Sequence, residues 1–192
     1  MKGVGIFRPK LAFSADRASA ERAAAQAKAE RFRQLVLPHM DAALTLARYL
    51  TRDASAAEDV VQEAYLRAFR SFATWRGEAP KAWLLAIVRN CFLSSIGATR
   101  PTEELTDEPV DGESPESLLA EKSEAALVRA TVEQLPEPFR ETLVLRELEE
   151  MSYKEIAAIT RVPIGTVMSR LARARQMLAE LLLPVAEKGA RA

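Results

Sequence analysis

Residues 152–175, SYKEIAAITRVPIGTVMSRLARAR, decide how this chain is read. Ser152 and Glu155 stand in S-x-x-E order, the arrangement in which a hydroxyl and a carboxylate satisfy the free backbone N–H groups at a helix start. Ile156, Ala157 and Ile159 then give that helix a small apolar face. Pro163 stops or turns the chain, and Gly165 is read as supplying an unusual backbone angle or close packing near the next helix start. Val167, Leu171, Ala174 and Leu178 recur at helical spacing and are predicted to face a core. At about 100° per residue the opposite side presents Thr166, Ser169, Arg173 and Gln176, with Arg170 on the flank. Short polar side chains and arginines in the first half of a helix are the groups that bond phosphates and base edges in a major groove. The stretch therefore reads as a helix-turn-helix that meets DNA, although an ordinary basic surface helix has the same composition.

Bulk composition narrows the alternatives. The chain has 192 residues, room for one or two domains, with 27 basic and 27 acidic side chains. That neutrality hides segregation: from Glu103 to Glu121 there are eight carboxylates and no Lys or Arg, while basic residues outnumber acidic ones from Ser152 onward. One cysteine, Cys91, excludes an intramolecular disulfide and a cysteine zinc cluster, and one histidine, His39, argues against histidine metal sites. No glycine-rich phosphate loop is present, and no nucleophile, base and orienting group can be assembled, so the chain is not expected to be an enzyme and no cofactor or metal is expected. No apolar run approaches membrane-spanning length and no secretory signal is evident, which predicts a cytoplasmic protein without membrane insertion.

Periodicity divides the rest. Residues 1–30 are rich in Ala, Arg, Lys and Glu without a consistent apolar stripe, and are expected to be a flexible extension, with helix possible over Ala18 to Arg33. Residues 31–98 read as a compact helical unit. Leu35, Leu44, Leu46 and Leu50 supply its first helix. Ser55 and Glu58 form a second S-x-x-E box ahead of Val60, Val61, Ala64, Tyr65, Ala68, Phe69 and Phe72. A third helix begins near Pro80, with Trp83, Leu84, Ile87 and Val88 inward. Residues 99–116 are acidic and broken by Pro101, Pro109, Gly112 and Pro115, a composition that cannot bury enough apolar surface to fold, hence a flexible linker. Residues 117–183 form a second helical unit, in which Phe139, Leu143, Val144, Leu145 and Leu148 make the helix before the helix-turn-helix, and residues 184–192 are a tail. No strand pattern competes, so the fold class is all-α.

The helix beginning near Asp59 has an outward side made of Asp59, Gln62, Glu63, Leu66 and Arg70. A solvated face with one exposed leucine fits these residues. So does a docking face with Leu66 as apolar anchor and a polar rim.

In combination these pieces resemble a known family. Ala57-Glu58-Asp59-Val60-Val61-Gln62-Glu63-Ala64-Tyr65-Leu66-Arg67-Ala68-Phe69, Trp75-Arg76-Gly77-Glu78 and Trp83-Leu84-Leu85-Ala86-Ile87-Val88-Arg89-Asn90 resemble region two of bacterial sigma factors. Leu135-Pro136, Arg140-Glu141, Arg146-Glu147-Leu148-Glu149 and the helix-turn-helix are similar to region four. The order matches the extracytoplasmic-function group of the sigma-70 family over roughly residues 34–182. The resemblance implies two small helical domains and a protein that binds core RNA polymerase, directs it to promoter DNA and helps melt it, usually under an anti-sigma factor. It places Asp59, Gln62, Glu63 and Leu66 against the polymerase, which favours the docking reading. Trp75, Arg89 and Asn90 would handle the minus-ten element, Asn90 at a pocket for a flipped base and Trp75 as a stacking surface, with a core position as the alternative for Trp75. Thr166, Ser169, Arg170 and Arg173 would meet the minus-thirty-five element. The acidic linker would thread polymerase channels, with a plain tether as the alternative. The chain departs from the family after Asn90, where several Arg or Lys residues are usual: Cys91 to Arg100 holds one basic residue, Arg100, and Met168 stands where Lys or Arg is frequent. A sigma-like adaptor that does not open DNA, or a helix-turn-helix repressor, are the competing expectations.

Overall fold

The computed structural model describes residues 12–98 and 119–189, so the acidic linker, the first eleven residues and Arg100 lie outside the described residues. The described residues form helices α1 (Ala12–Leu35), α2 (Met40–Thr51), α3 (Ala54–Ser71), α4 (Pro80–Ala98), α5 (Leu119–Glu133), α6 (Glu137–Leu143), α7 (Tyr153–Thr160) and α8 (Ile164–Gly189), with no strand among them.

The first unit packs α2, α3 and α4 against one another. Leu46, Leu84, Leu85 and Val88 are fully buried at its centre. The leucines expected on one first helix fall on two. Pro38 lies in the short 3-10 turn Leu37–His39, so Leu35 ends α1 while Leu44, Leu46 and Leu50 belong to α2. A proline there supplies no backbone donor and redirects the chain. The expected Ser55–Glu58 box is also not the cap of α3. Asp53 takes that role, its Oδ1 accepting from the Ala56 N–H at 2.6 Å, so the helix begins earlier than the S-x-x-E spelling suggests.

Helix α1 crosses from the stretch read as an extension into the first unit. Most of it is exposed, but Phe32 is buried and meets Tyr65, Phe69 and Phe72 edge-on, with centroids 5.2–6.2 Å away. Lys28 Nζ lies 4.6 Å from the Phe69 ring centre, adding a cation–π contact.

In the second unit α6 runs into a π-helical turn, Val144–Leu148, whose last hydrogen bond goes from Glu149 N–H to Val144 O at 3.1 Å. The extra residue in that turn shifts the side-chain register. Leu143, Val144 and Leu145 stay buried, whereas Leu148, expected with them, is half exposed. Arg140, buried, donates to the carbonyls of Glu133 (3.1 Å) and Leu135 (2.7 Å) and so closes the turn between α5 and α6.

The capping box at the head of α7 forms as read. Glu155 N–H donates to Ser152 Oγ at 3.3 Å and Ser152 N–H donates to Glu155 Oε2 at 2.9 Å. The Ser152 hydroxyl, which donates to Glu155 Oε2 at 2.6 Å, and then the Ser152 N–H hold the Glu155 carboxyl below its ordinary range. The turn after α7 is made by Arg161, left-handed at φ 57°, and Pro163 then accepts from the N–H groups of Thr166 and Val167. Gly165 has neither of its expected roles within the protein. Its φ is not positive, and a Cβ there would meet nothing within 4 Å. Gly165→Ala is therefore expected to stabilise the free chain by about 0.5 kcal/mol, because alanine gives up less backbone entropy on folding. Thermal unfolding of the variant checks this, and a lower midpoint would place strain at Gly165.

The two units also touch. α4 lies against α7, and α2 against α6. No helix among the described residues is long and apolar enough to cross a membrane.

Candidate functional site

Helix α8 is set by its apolar stripe. Val167, Leu171 and Ala174 are buried and Leu178 is half buried, which turns Ser169, Arg173 and Gln176 to solvent. Thr166 and Arg170 lie half-buried at the edges of that outward side. Arg173 makes no hydrogen bond or ion pair among the described residues, so all five guanidinium donors face outward. Ser169 donates its hydroxyl to the Thr166 carbonyl at 3.0 Å, leaving its oxygen lone pairs free to accept. Arg175, by contrast, is committed to Glu147 at 2.6 Å and braces α8 against the π-helical turn.

The outer side of α3 carries Asp59, Gln62 and Leu66 exposed and Glu63 half-exposed, away from the buried Val60, Val61, Ala64 and Ala68. Leu66 is 48% exposed, and Glu63 accepts from Arg67 Nε at 2.6 Å one helical turn away. This makes an apolar centre with a charged border.

Trp75, Arg89 and Asn90 have different surroundings. Trp75 lies in the loop before α4, where Gly77 adopts φ 85°, and its indole N–H donates to the Glu78 carbonyl at 3.1 Å. Its ring is 5.6 Å from Phe72 and 5.1 Å from Trp83, while those two are 6.4 Å from each other. The spacings are too short for Trp75 to lie between the other two, so the cluster supports it from one side. Asn90 is half-buried and its side-chain amide has no hydrogen-bond partner among the described residues. Arg89 is engaged: its Nε donates to Glu141 Oε1 at 2.6 Å, with the Arg89 and Glu141 side chains 14% and 1% exposed.

Glu141 is the residue that sequence reasoning missed. It was legible only as part of Arg140-Glu141, and nothing in that pair announces a partner 52 positions away. Burial pushes its carboxyl above the ordinary range, against the pull of Arg89 and, more weakly, Arg170. A second tie joins the same units, from Lys81 Nζ to Glu149 Oε2 at 2.8 Å and to the Glu149 carbonyl at 2.8 Å. The second half of α4 adds Leu93, Ser94, Ser95 and Ile96 to the surface, with no cation among them.

Comparison with known proteins accounts for both units. Residues 35–101 match the family described as Sigma-70 region 2, and residues 125–178 match Sigma-70, region 4. The chain is 36% identical over 168 residues to the RNA polymerase sigma-H factor of Pseudomonas aeruginosa, covering 80% of this chain and 87% of that one. It is 34% identical to the ECF RNA polymerase sigma-E factor of Haemophilus influenzae, covering 73% and 80%. Among solved structures it is similar to the sigma factor RpoE of Bartonella quintana in complex with the anti-sigma factor NepR, with a TM-score of 0.62, 29% identity and coverage of 80% and 97%. It is also similar to CnrH in complex with the cytosolic domain of CnrY, with a TM-score of 0.61, 28% identity and coverage of 84% and 93%. With two helical units in the order of regions two and four and relatives matched over most of their length, the chain belongs to the extracytoplasmic-function group of the sigma-70 family of RNA polymerase sigma factors.

Proposed function

We propose that the chain binds core RNA polymerase through Asp59, Gln62, Glu63 and Leu66 on α3, and directs it to promoters. Ser169 and Arg173 read the minus-thirty-five duplex, with Thr166 at a phosphate and Arg170 at the flank. Trp75, Arg89 and Asn90 receive the minus-ten element, where the unbonded amide of Asn90 offers donors and acceptors to an unstacked base. The chain acts in the cytoplasm as an initiation factor and not as an enzyme. An anti-sigma factor holds it inactive, a role supported by the two similar structures, both of which are complexes with such a partner or its cytosolic domain.

Arg173 carries this reading. It is an exposed guanidinium without a partner among the described residues, in the first half of a helix whose opposite side is locked into a core. The test is run-off transcription by core polymerase reconstituted with the purified chain on fragmented genomic DNA. Promoter-specific transcripts are expected. Arg173→Ala should weaken upstream occupancy by roughly 1–3 kcal/mol if it reads a base. An unchanged footprint removes Arg173 from the interface.

A second reading, polymerase binding without DNA opening, is favoured by the cation-free surface of α4 after Asn90. In the same assay it gives a stable complex and no transcript.

A further inference from the structure

Among the described residues, the most exposed large apolar side chain is Met168, at 54%, and it stands on α8 beside Ser169. Ile164, 46% exposed, precedes it by one helical turn, and the exposed Ala172 follows it by one turn. The three form a stripe along the surface of α8, next to the polar row of Ser169 and Arg173. The stripe is no part of the core, which takes Val167, Leu171 and Ala174 from another side of the same helix. A thioether cannot neutralise a phosphate, so Met168 adds nothing to backbone attraction. A duplex lying on the polar row nevertheless brings its base edges within reach of this stripe. Of the groups that bases present in the major groove, the thymine C5-methyl is the apolar one.

We infer that Met168 is a specificity-determining residue that packs against the methyl group of a thymine in the upstream promoter element. The inference rests on the reading of α8 as the helix that enters the minus-thirty-five major groove. The unbranched, polarizable side chain of methionine suits a contact of this kind, since it adjusts to an apolar surface without demanding one fixed shape. Ala172 reaches less far from the helix than Met168 does, and Ile164, at the first turn, is one turn further from Arg173.

The experiment uses holoenzyme assembled from core polymerase and the full chain. Upstream sequences are first selected from a randomised library. Each thymine of the selected element is then replaced singly by deoxyuridine, which removes the methyl group and changes no hydrogen bond. Occupancy of the parent holoenzyme is expected to fall at one or two positions by roughly fourfold each, the size of burying one methyl group. With Met168→Ala the same replacements should have no effect, whereas Met168→Leu should keep part of the discrimination. Met168→Lys should lose thymine discrimination and steepen the salt dependence by about one counterion.

If the parent binds thymine and uracil alike at every position, or if Met168→Ala still discriminates, the assignment is overturned. An Arg173→Ala control separates this from failure of the underlying reading. Weakened upstream occupancy in Arg173→Ala together with indifference to uracil overturns the role of Met168 alone. If neither Arg173→Ala nor any uracil changes upstream occupancy, α8 is not the reading helix, and both fall.

Discussion

Leu66→Arg is expected to abolish co-purification with core RNA polymerase while leaving the free chain folded. Leu66 sits on the outer face of α3, 48% exposed, with Asp59 and Gln62 exposed around it and the Glu63–Arg67 pair alongside. An apolar anchor at the centre of a polar rim binds by leaving water, and losing the burial of one leucine costs about 2 kcal/mol. Arginine at this site would also bring a charge into the interface without a partner, which adds to the penalty. Together these amount to about 4 kcal/mol, roughly a thousandfold in affinity. The folded chain has little to lose. Arginine and leucine have similar helix propensity, and surface substitutions away from caps and cores usually stay within about 0.5 kcal/mol. Pull-down with tagged core enzyme, alongside circular dichroism and thermal unfolding, measures both halves. A variant that co-purifies as well as the parent does would move the docking face elsewhere.

What the sequence disclosed follows from how local each feature is. The capping box at Ser152 and Glu155 spans four residues and formed as spelled, and the stripe Val167, Leu171, Ala174 needs only a helical period. The same spelling at Ser55 and Glu58 misled, because a helix start depends on where the preceding turn leaves the chain, and Asp53 was already in place to cap. Gly165 suggests an unusual backbone angle or close packing because glycine permits both. The left-handed angle fell on Arg161 instead, where α7 ends. Leu148 obeyed an apolar period that a π-helical turn then broke, and no short pattern marks such a turn. Phe32 was invisible in an alanine-rich stretch, since its burial depends on three rings from α3 and the turn that follows it. The exposure of Ser169 and Arg173 was legible because one helix decides it. The engagement of Arg89 by Glu141 was not, because it depends on how the two helical units meet.

Glu141→Ala is expected to part α4 from α6. In the parent the carboxylate is 1% exposed and holds Arg89 at 2.6 Å, across the junction between the two units. Burial disfavours the Glu141 charge more than Arg89 restores it, so the pair contributes little net stability over two well-packed apolar groups. Removing one member is another matter. The guanidinium of Arg89, 14% exposed, would keep its desolvation cost with no compensating anion, a loss of about 3–5 kcal/mol. A single folded core would have to absorb that loss. Here the two charges belong to different units, and the chain can escape by separating them and returning Arg89 to water. Lys81 and Glu149, 29% and 7% exposed, and the packing of α4 on α7 and of α2 on α6 remain, so a loss of several kcal/mol shows as a larger separated population and not as complete separation. Small-angle scattering of Glu141→Ala should therefore show a larger radius of gyration at unchanged helical content. The double variant Arg89→Ala with Glu141→Ala should return to the compact profile, because neither charge is left buried, and with Arg89→Ala alone as the fourth protein the set closes a double-mutant cycle on the pair. If Glu141→Ala scatters like the parent, the pair does not hold the units together. The consequence for function is direct. A guanidinium bonded to Glu141 is not available to promoter DNA, so the contact proposed for Arg89 requires this junction to open first.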